Sequence, residues 1–185
     1  MFIYAKREMY PINIKRKDVK MASLIYAQLG GANGELGAAI RYFMQRTTMP
    51  DERGVMLLTD IAAEELSHVE MIQTLIYQLT KDATIKEMEE AGLACSYVMH
   101  GKGIPPVGCD LPFDTKGIAI NGDWKVDLIE DMCAEEKARI TYEHLIDLTS
   151  DNDVKNVLLY LRQREVVHYN RFKDLMEVYE REYKN

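Results

Sequence analysis

The sequence predicts an all-α fold: a bundle of four long helices, built as two helical hairpins joined by one long crossover. Three observations carry this. Apolar residues recur at helical spacing over four long stretches. The first and last connections are short, marked by Pro50 and by Ser150-Asp151. The middle connection spans residues 81–123 and concentrates glycine and proline.

Residues 1–17 read as an irregular arm, broken at Pro11 and made basic by Lys15, Arg16 and Lys17. Such an arm is expected to be solvated or to touch a neighbouring subunit. The first helical pattern covers about 18–47 and begins at Asp18, a suitable N-cap. Leu24, Ile25, Ala32, Ala39 and Tyr42 form its stripe. Pro50 stops it, and Asp51 caps the second, over 51–80. That stripe holds Leu58, Ile61, Ala62, Val69, Ile72, Leu75 and Leu79.

The crossover has a short amphipathic stretch near 84–91, then Gly101, Gly103, Pro105, Pro106, Gly108, Pro112, Gly117 and Gly122. The third helix is read over 124–149, with Leu128, Met132, Ala138, Tyr142 and Leu145 inward. The fourth is read over 151–183, with Leu158, Leu161, Phe172 and Leu175 inward. Two hairpins and one crossover is the connectivity of the ferritin-like four-helix bundle. So long a loop is unusual in a compact domain. Here it must return the third helix to the end the geometry requires. Residues 1–185 are read as one such domain.

Composition narrows the function. The chain is 47% hydrophobic and 29% charged, the balance of an ordinary globular protein. Its net charge of −7 argues against nucleic acid or an anionic membrane as partner. No apolar run is long enough to span a bilayer. The opening Met1-Phe-Ile-Tyr-Ala-Lys-Arg-Glu lacks the apolar core of a signal peptide. Cytoplasmic synthesis is expected, without secretion through a signal peptide. Cys95, Cys109 and Cys133 are an odd number without CxxC spacing, which suits a reduced chain. They are read as packing or loop residues.

The chemistry lies in the apolar stripes. Glu65 interrupts the second stripe and Glu165 the fourth, and each has a histidine three residues on, His68 and His168. That spacing puts Glu and His on one helix face. Glu35 interrupts the first stripe and Glu135 the third. Adding 100 to Glu35, Tyr42, Glu65 and His68 gives Glu135, Tyr142, Glu165 and His168. Both hairpins thus carry one polar layout, as an internal pseudo-two-fold demands.

Burying four such carboxylates without compensation is prohibitive. They must take up protons or bind cations. A carboxylate-rich set with few imidazoles suits manganese or iron better than zinc or cuprous copper. Two single glutamates plus two Glu-x-x-His pairs is the di-iron or di-manganese carboxylate pattern. Glu64, Glu70, Glu136 and Glu143 are read as surface charge; Glu64, four residues before His68, is the rival of Glu65, and the repeat favours Glu65. His100 and His144 lack a glutamate three residues before them and fall outside the layout. Tyr42 and Tyr142 read as core aromatics or as partners able to hydrogen-bond Glu35 and Glu135.

At Gly30-Gly-Ala-Asn-Gly-Glu35, Glu64-Glu65-Leu-Ser-His68, Ala134-Glu135-Glu-Lys-Ala-Arg139 and Arg164-Glu165-Val-Val-His168 the sequence resembles the manganese catalase family. It is most similar to the short spore-coat branch of CotJC type, over essentially the whole chain. The resemblance implies a catalase, an oxidoreductase that disproportionates hydrogen peroxide with two manganese ions per chain. It implies that Glu35, Glu65, His68, Glu135 and His168 are ligands, with Glu65 bridging the metals. It implies that Glu165 stands beside the site, either as a further ligand or as the proton-handling group, and that Tyr42 hydrogen-bonds Glu35. Some members carry an arginine gate where this chain has Ala134. The resemblance further implies a homo-oligomer and other spore coat proteins as partners. Longer members form hexamers through a C-terminal extension, and a catalase core without that tail is expected here.

The residues leave two other readings open. One is a di-iron ferroxidase or peroxidase, since iron and manganese share these ligands; without CxxC pairs, a rubredoxin-type iron site is disfavoured. The other is a structural coat protein with a slow or idle metal site.

Overall fold

The computed structural model describes residues 8–30, 33–93 and 118–183. His100, Cys95, Cys109, Ala32 and most of the crossover glycines and prolines lie outside them.

Asp18 Oδ1 accepts the Met21 N–H at 2.9 Å and opens α1, Val19–Gly30. The sequence reading of one helix over 18–47 is corrected here. α1 ends at Gly30, and a second helix, α2, covers Glu35–Gln45 before a single 3₁₀ turn, Arg46–Thr48. Glycines at 30, 31 and 34 weaken the helix, each costing about 1 kcal/mol relative to alanine. Backbone also packs on backbone there, since a Cβ on Gly34 would meet the carbonyl oxygens of Ala27 and Gln28 at 2.9 Å. α1 therefore sets its own phase. It buries Met21, Ala22, Ile25 and Leu29, and Leu24, expected inward, is 41% exposed. The break makes Glu35 the first residue of α2, in the turn where amide N–H groups favour an anion.

Asp51 caps α3, Glu52–Thr80, by accepting the Arg53 and Gly54 amides. It also accepts the hydroxyls of Tyr179 and Tyr183, so the start of α3 is tied to the far end of the chain. A capping box of Thr84 and Glu87 closes the short α4, Ile85–Glu90. Asp123 caps α5, Trp124–Leu148, and Asp151 caps α6, Asn152–Glu182. Asp127 on α5 accepts the backbone N–H groups of Asn121 at 2.8 Å and Gly122 at 3.3 Å, which pins the end of the crossover.

α1 and α2 pack on α3, and α5 packs on α6. The core divides into two apolar clusters. One gathers Ile25, Leu29, Ile72, Leu75, Tyr142, Leu158 and Leu161. The other gathers Tyr42, Leu58, Ile61, Leu128, Phe172 and Tyr179. Along α3 the order is second cluster, Glu65 and His68, first cluster. Along α6 the order is reversed about Glu165 and His168, so a polar layer sits between the clusters at one depth.

The arm also differs from its expectation. Ile12 is buried, the Ile14 N–H donates to Gln78 Oε1 at 2.6 Å, and Gln78 Nε2 donates to the Ile12 carbonyl at 3.0 Å. One amide side chain thus satisfies an extended segment that has no strand partner. Arg16 pairs with Asp151 and Lys17 with Glu87, so the basic run is matched by the chain's own acids. Among the described residues no helix is long and apolar enough to cross a membrane.

Candidate metal centre

Glu35 on α2, Glu65 and His68 on α3, Glu135 on α5, and Glu165 and His168 on α6 all lie in the polar layer, each at most 3% exposed. Their ligand atoms form two compact groups. Glu35, Glu65, His68 and Glu165 each offer one atom within 4.8 Å of the others, and so do Glu65, Glu135 and His168. Glu65 belongs to both. Its Oε2 is 2.8 Å from His68 Nδ1 and its Oε1 is 2.8 Å from His168 Nδ1. Glu35 approaches His68 Nδ1 at 3.5 Å, and Glu135 approaches His168 Nδ1 at 3.6 Å. The imidazoles stack with centroids 5.6 Å apart.

The tyrosine hydroxyls hold the outer glutamates, but crosswise. Tyr42 donates to Glu135 and Tyr142 donates to Glu35. The pairing expected from sequence, Tyr42 with Glu35, is thus replaced. The reason is direction: over a rise of about 10.5 Å both side chains lean toward the N-terminus of α2, so Glu35 leads away from Tyr42. The facing helix closes the gap. Burial, and then the neighbouring carboxylates, push both phenols well above their ordinary range, so they remain neutral donors.

Without cations the layer balances its charge with protons. Burial, reinforced by the charge of Glu65, lifts the Glu35 carboxyl to about 8. Burial lifts Glu135, and burial with the charges of Glu35 and Glu135 lifts Glu165 well above the usual range. Glu65 goes the other way. Burial pushes it up, but the two imidazoles outweigh burial and hold it low. Burial works against charge on the imidazoles too, yet Glu65 and its neighbours carry His168 up to about 12 and raise His68 strongly.

Three side chains escaped the sequence reading. Glu64, read as surface charge, turns inward with only 13% of its side chain exposed, toward Nε2 of both histidines. Asp127 and Asp131 are fully buried on the Glu135 face of α5. Their spacing of four and eight residues before Glu135 was the signal available. His144 is exposed. Cys133, expected in packing or a loop, is exposed on α5. Between α2 and α5 a pocket reaches the layer, lined among others by Glu35, Arg41, Tyr42, Ala134, Glu135 and Glu165. Its free volume of 10 Å³ holds about one water-sized molecule.

The layer is compatible with a dimetal site. Among the described residues, Glu65 Oε1, Glu135 Oε2, Glu165 Oε1 and His168 Nδ1 are buried without a hydrogen-bond partner. Glu65 Oε1 and His168 Nδ1 stand 2.8 Å apart and still are not aligned to bond each other. Oxygen-rich donors with two imidazoles suit manganese or iron. A layer of this kind inside such a bundle defines a ferritin-like carboxylate protein.

Relatives narrow the class. The description "manganese containing catalase" matches residues 1–185, and the chain belongs to that family. It is 44% identical to Protein CotJC of Bacillus subtilis over 183 residues, covering 98% of this chain and 96% of that one. It is 31% identical to a manganese catalase of Bacillus subtilis, covering 93% of this chain and 68% of the relative. The fold is that of KatB, a manganese catalase from Anabaena, with a TM-score of 0.85 at 32% identity over 96% of this chain and 80% of KatB.

Proposed function

We propose that the protein is a dinuclear manganese catalase that disproportionates hydrogen peroxide to water and dioxygen, working as a homo-oligomer in a spore coat. The observation that carries this reading is the pair of ligand groups sharing Glu65. Glu35 and His68 would hold one manganese, Glu135 and His168 the other, and Glu65 both. Bound manganese supplies the paired electron changes by which one peroxide is oxidised and the next reduced.

The chain's own residues do the rest. The pocket brings Glu35, Glu135 and Glu165 around a space for about one water-sized molecule. Glu165 lines it, burial raises its carboxyl, and Oε1 has no hydrogen-bond partner among the described residues, which places it to exchange a proton with substrate. Tyr42 and Tyr142 fix one oxygen of Glu135 and of Glu35, leaving the other oxygen of each to face the centre. Likeness to CotJC supports the coat location and coat partners.

The test is oxygen evolution from peroxide by protein shown to contain two manganese ions per chain. No turnover in such protein would overturn the reading. Metal analysis of protein produced without added metal separates manganese from iron. Fractionation of spores carrying a tagged copy tests the coat location.

A further inference from the structure

Behind the two imidazoles, away from Glu65, stands one ion pair. Glu64 Oε1 lies 3.7 Å from His68 Nε2, and Oε2 lies 3.3 Å from His168 Nε2. Neither imidazole Nε2 has a hydrogen-bond partner among the described residues, so this carboxylate is the acceptor both are offered. Arg164 grips both of its oxygens, Nε on Oε1 at 2.5 Å and Nη2 on Oε2 at 3.2 Å. A forked guanidinium fixes the plane of a carboxylate, which a single ammonium does not.

We infer that Glu64 and Arg164 form one clamp that orients both histidines toward the metal layer. This rests on the reading of that layer as a metal centre. A neutral imidazole carries one N–H. With that N–H on Nε2 and directed at Glu64, the lone pair is on Nδ1, the atom both rings present to Glu65. A carboxylate behind a ligating histidine fixes its tautomer and strengthens it as a donor. Here one carboxylate serves two ligands.

The internal repeat explains why the clamp is mixed in charge. Position 64 plus 100 is position 164, so the pseudo-two-fold relates Glu64 to Arg164. Two side chains that are symmetry mates and also touch must meet close to the axis. Two glutamates there would repel, and two arginines would offer the imidazoles no acceptor. One acid and one base is the arrangement that satisfies both rings and adds no net charge to the layer.

The placement on the axis gives a sharp test. Manganese-loaded protein is challenged with excess EDTA, and release is followed alongside the melting of the metal-free form. Glu64→Gln is expected to release manganese about 10–100-fold faster, with little change in metal-free melting. The exchanged pair Glu64→Arg/Arg164→Glu puts the carboxylate on the other helix, still facing both rings, and should recover release to within about threefold of the parent. Release from Glu64→Gln at the parent rate overturns the clamp, as does an exchanged pair no better than Glu64→Gln. If Glu64→Gln fails to fold, Arg164→Lys carries the test, since it keeps the charge and loses the fork; parent-like release then overturns the clamp. Tight manganese without peroxide turnover sinks the catalase reading and leaves the clamp standing. A parent protein that holds no manganese sinks both.

Discussion

The two halves of the bundle carry the same residues at matched positions and use them differently. Glu65 reaches both imidazoles at 2.8 Å, while its counterpart Glu165 comes no nearer than 3.8 Å to His68. Two acids this close do not both stay ionised. Without metal, the imidazoles pull the Glu65 carboxyl down while burial pushes that of Glu165 up. A repeat in sequence therefore sets out two equivalent places, and electrostatics assigns them two tasks. The neighbours differ as well. Glu64 faces Arg164, and the helix carrying Glu35 is interrupted at Gly30–Gly34 where α5 runs unbroken past Ala134.

The largest effect should come from the shared position. Glu65→Ala removes an oxygen from both ligand groups and is expected to abolish binding of both manganese ions, read as metal content per folded chain. Glu165→Gln, at the matching position, should retain manganese but lose turnover by about 10²–10⁴-fold. If the two substitutions have the same effect on metal content, the division of labour is wrong.

The tyrosines test the crossing. Tyr42→Phe and Tyr142→Phe should each destabilise the protein by about 1–3 kcal/mol, because each leaves a buried carboxylate short of a partner. In urea unfolding, Tyr42→Phe should couple energetically with Glu135→Gln and not with Glu35→Gln. Coupling to Glu35 instead would restore the pairing expected from sequence.

The last test is in pH. Metal-free, Glu35 titrates at about 8 against an ordinary 4.5, and His168 at about 12 against 6.5. The folded state then holds more protons than the unfolded state between pH 6.5 and 8. The favourable term from His168 is complete below 6.5 and is lost as pH rises toward 12. The unfavourable term from Glu35 grows from 4.5 to 8. Glu65, held low, adds a constant favourable term above 4.5. Metal-free protein should therefore melt lower at pH 8 than at pH 6.5. Manganese loading should remove that slope, since ligands bind deprotonated. A metal-free midpoint that rises across the window would show that protons do not stand in for cations.

The six residues of the layer were legible because acids and histidines interrupt apolar stripes, and because the interruption recurs 100 residues on. The long α3, α5 and α6 were legible from the same stripes. The break before Glu35 was hidden, since apolar spacing continues across Gly30–Gly34 as if the helix did. The tyrosine crossing and the inward turn of Glu64 depend on a facing helix, which a pattern along one helix does not contain. Leu24 shows the same limit on α1, whose phase is set by packing against α3.

The pocket between α2 and α5 has one more consequence. A space for about one water is smaller than a divalent cation wrapped in its hydration shell. A cation taking this route must shed waters or part α2 from α5. Such a route disfavours magnesium, which gives up its waters reluctantly.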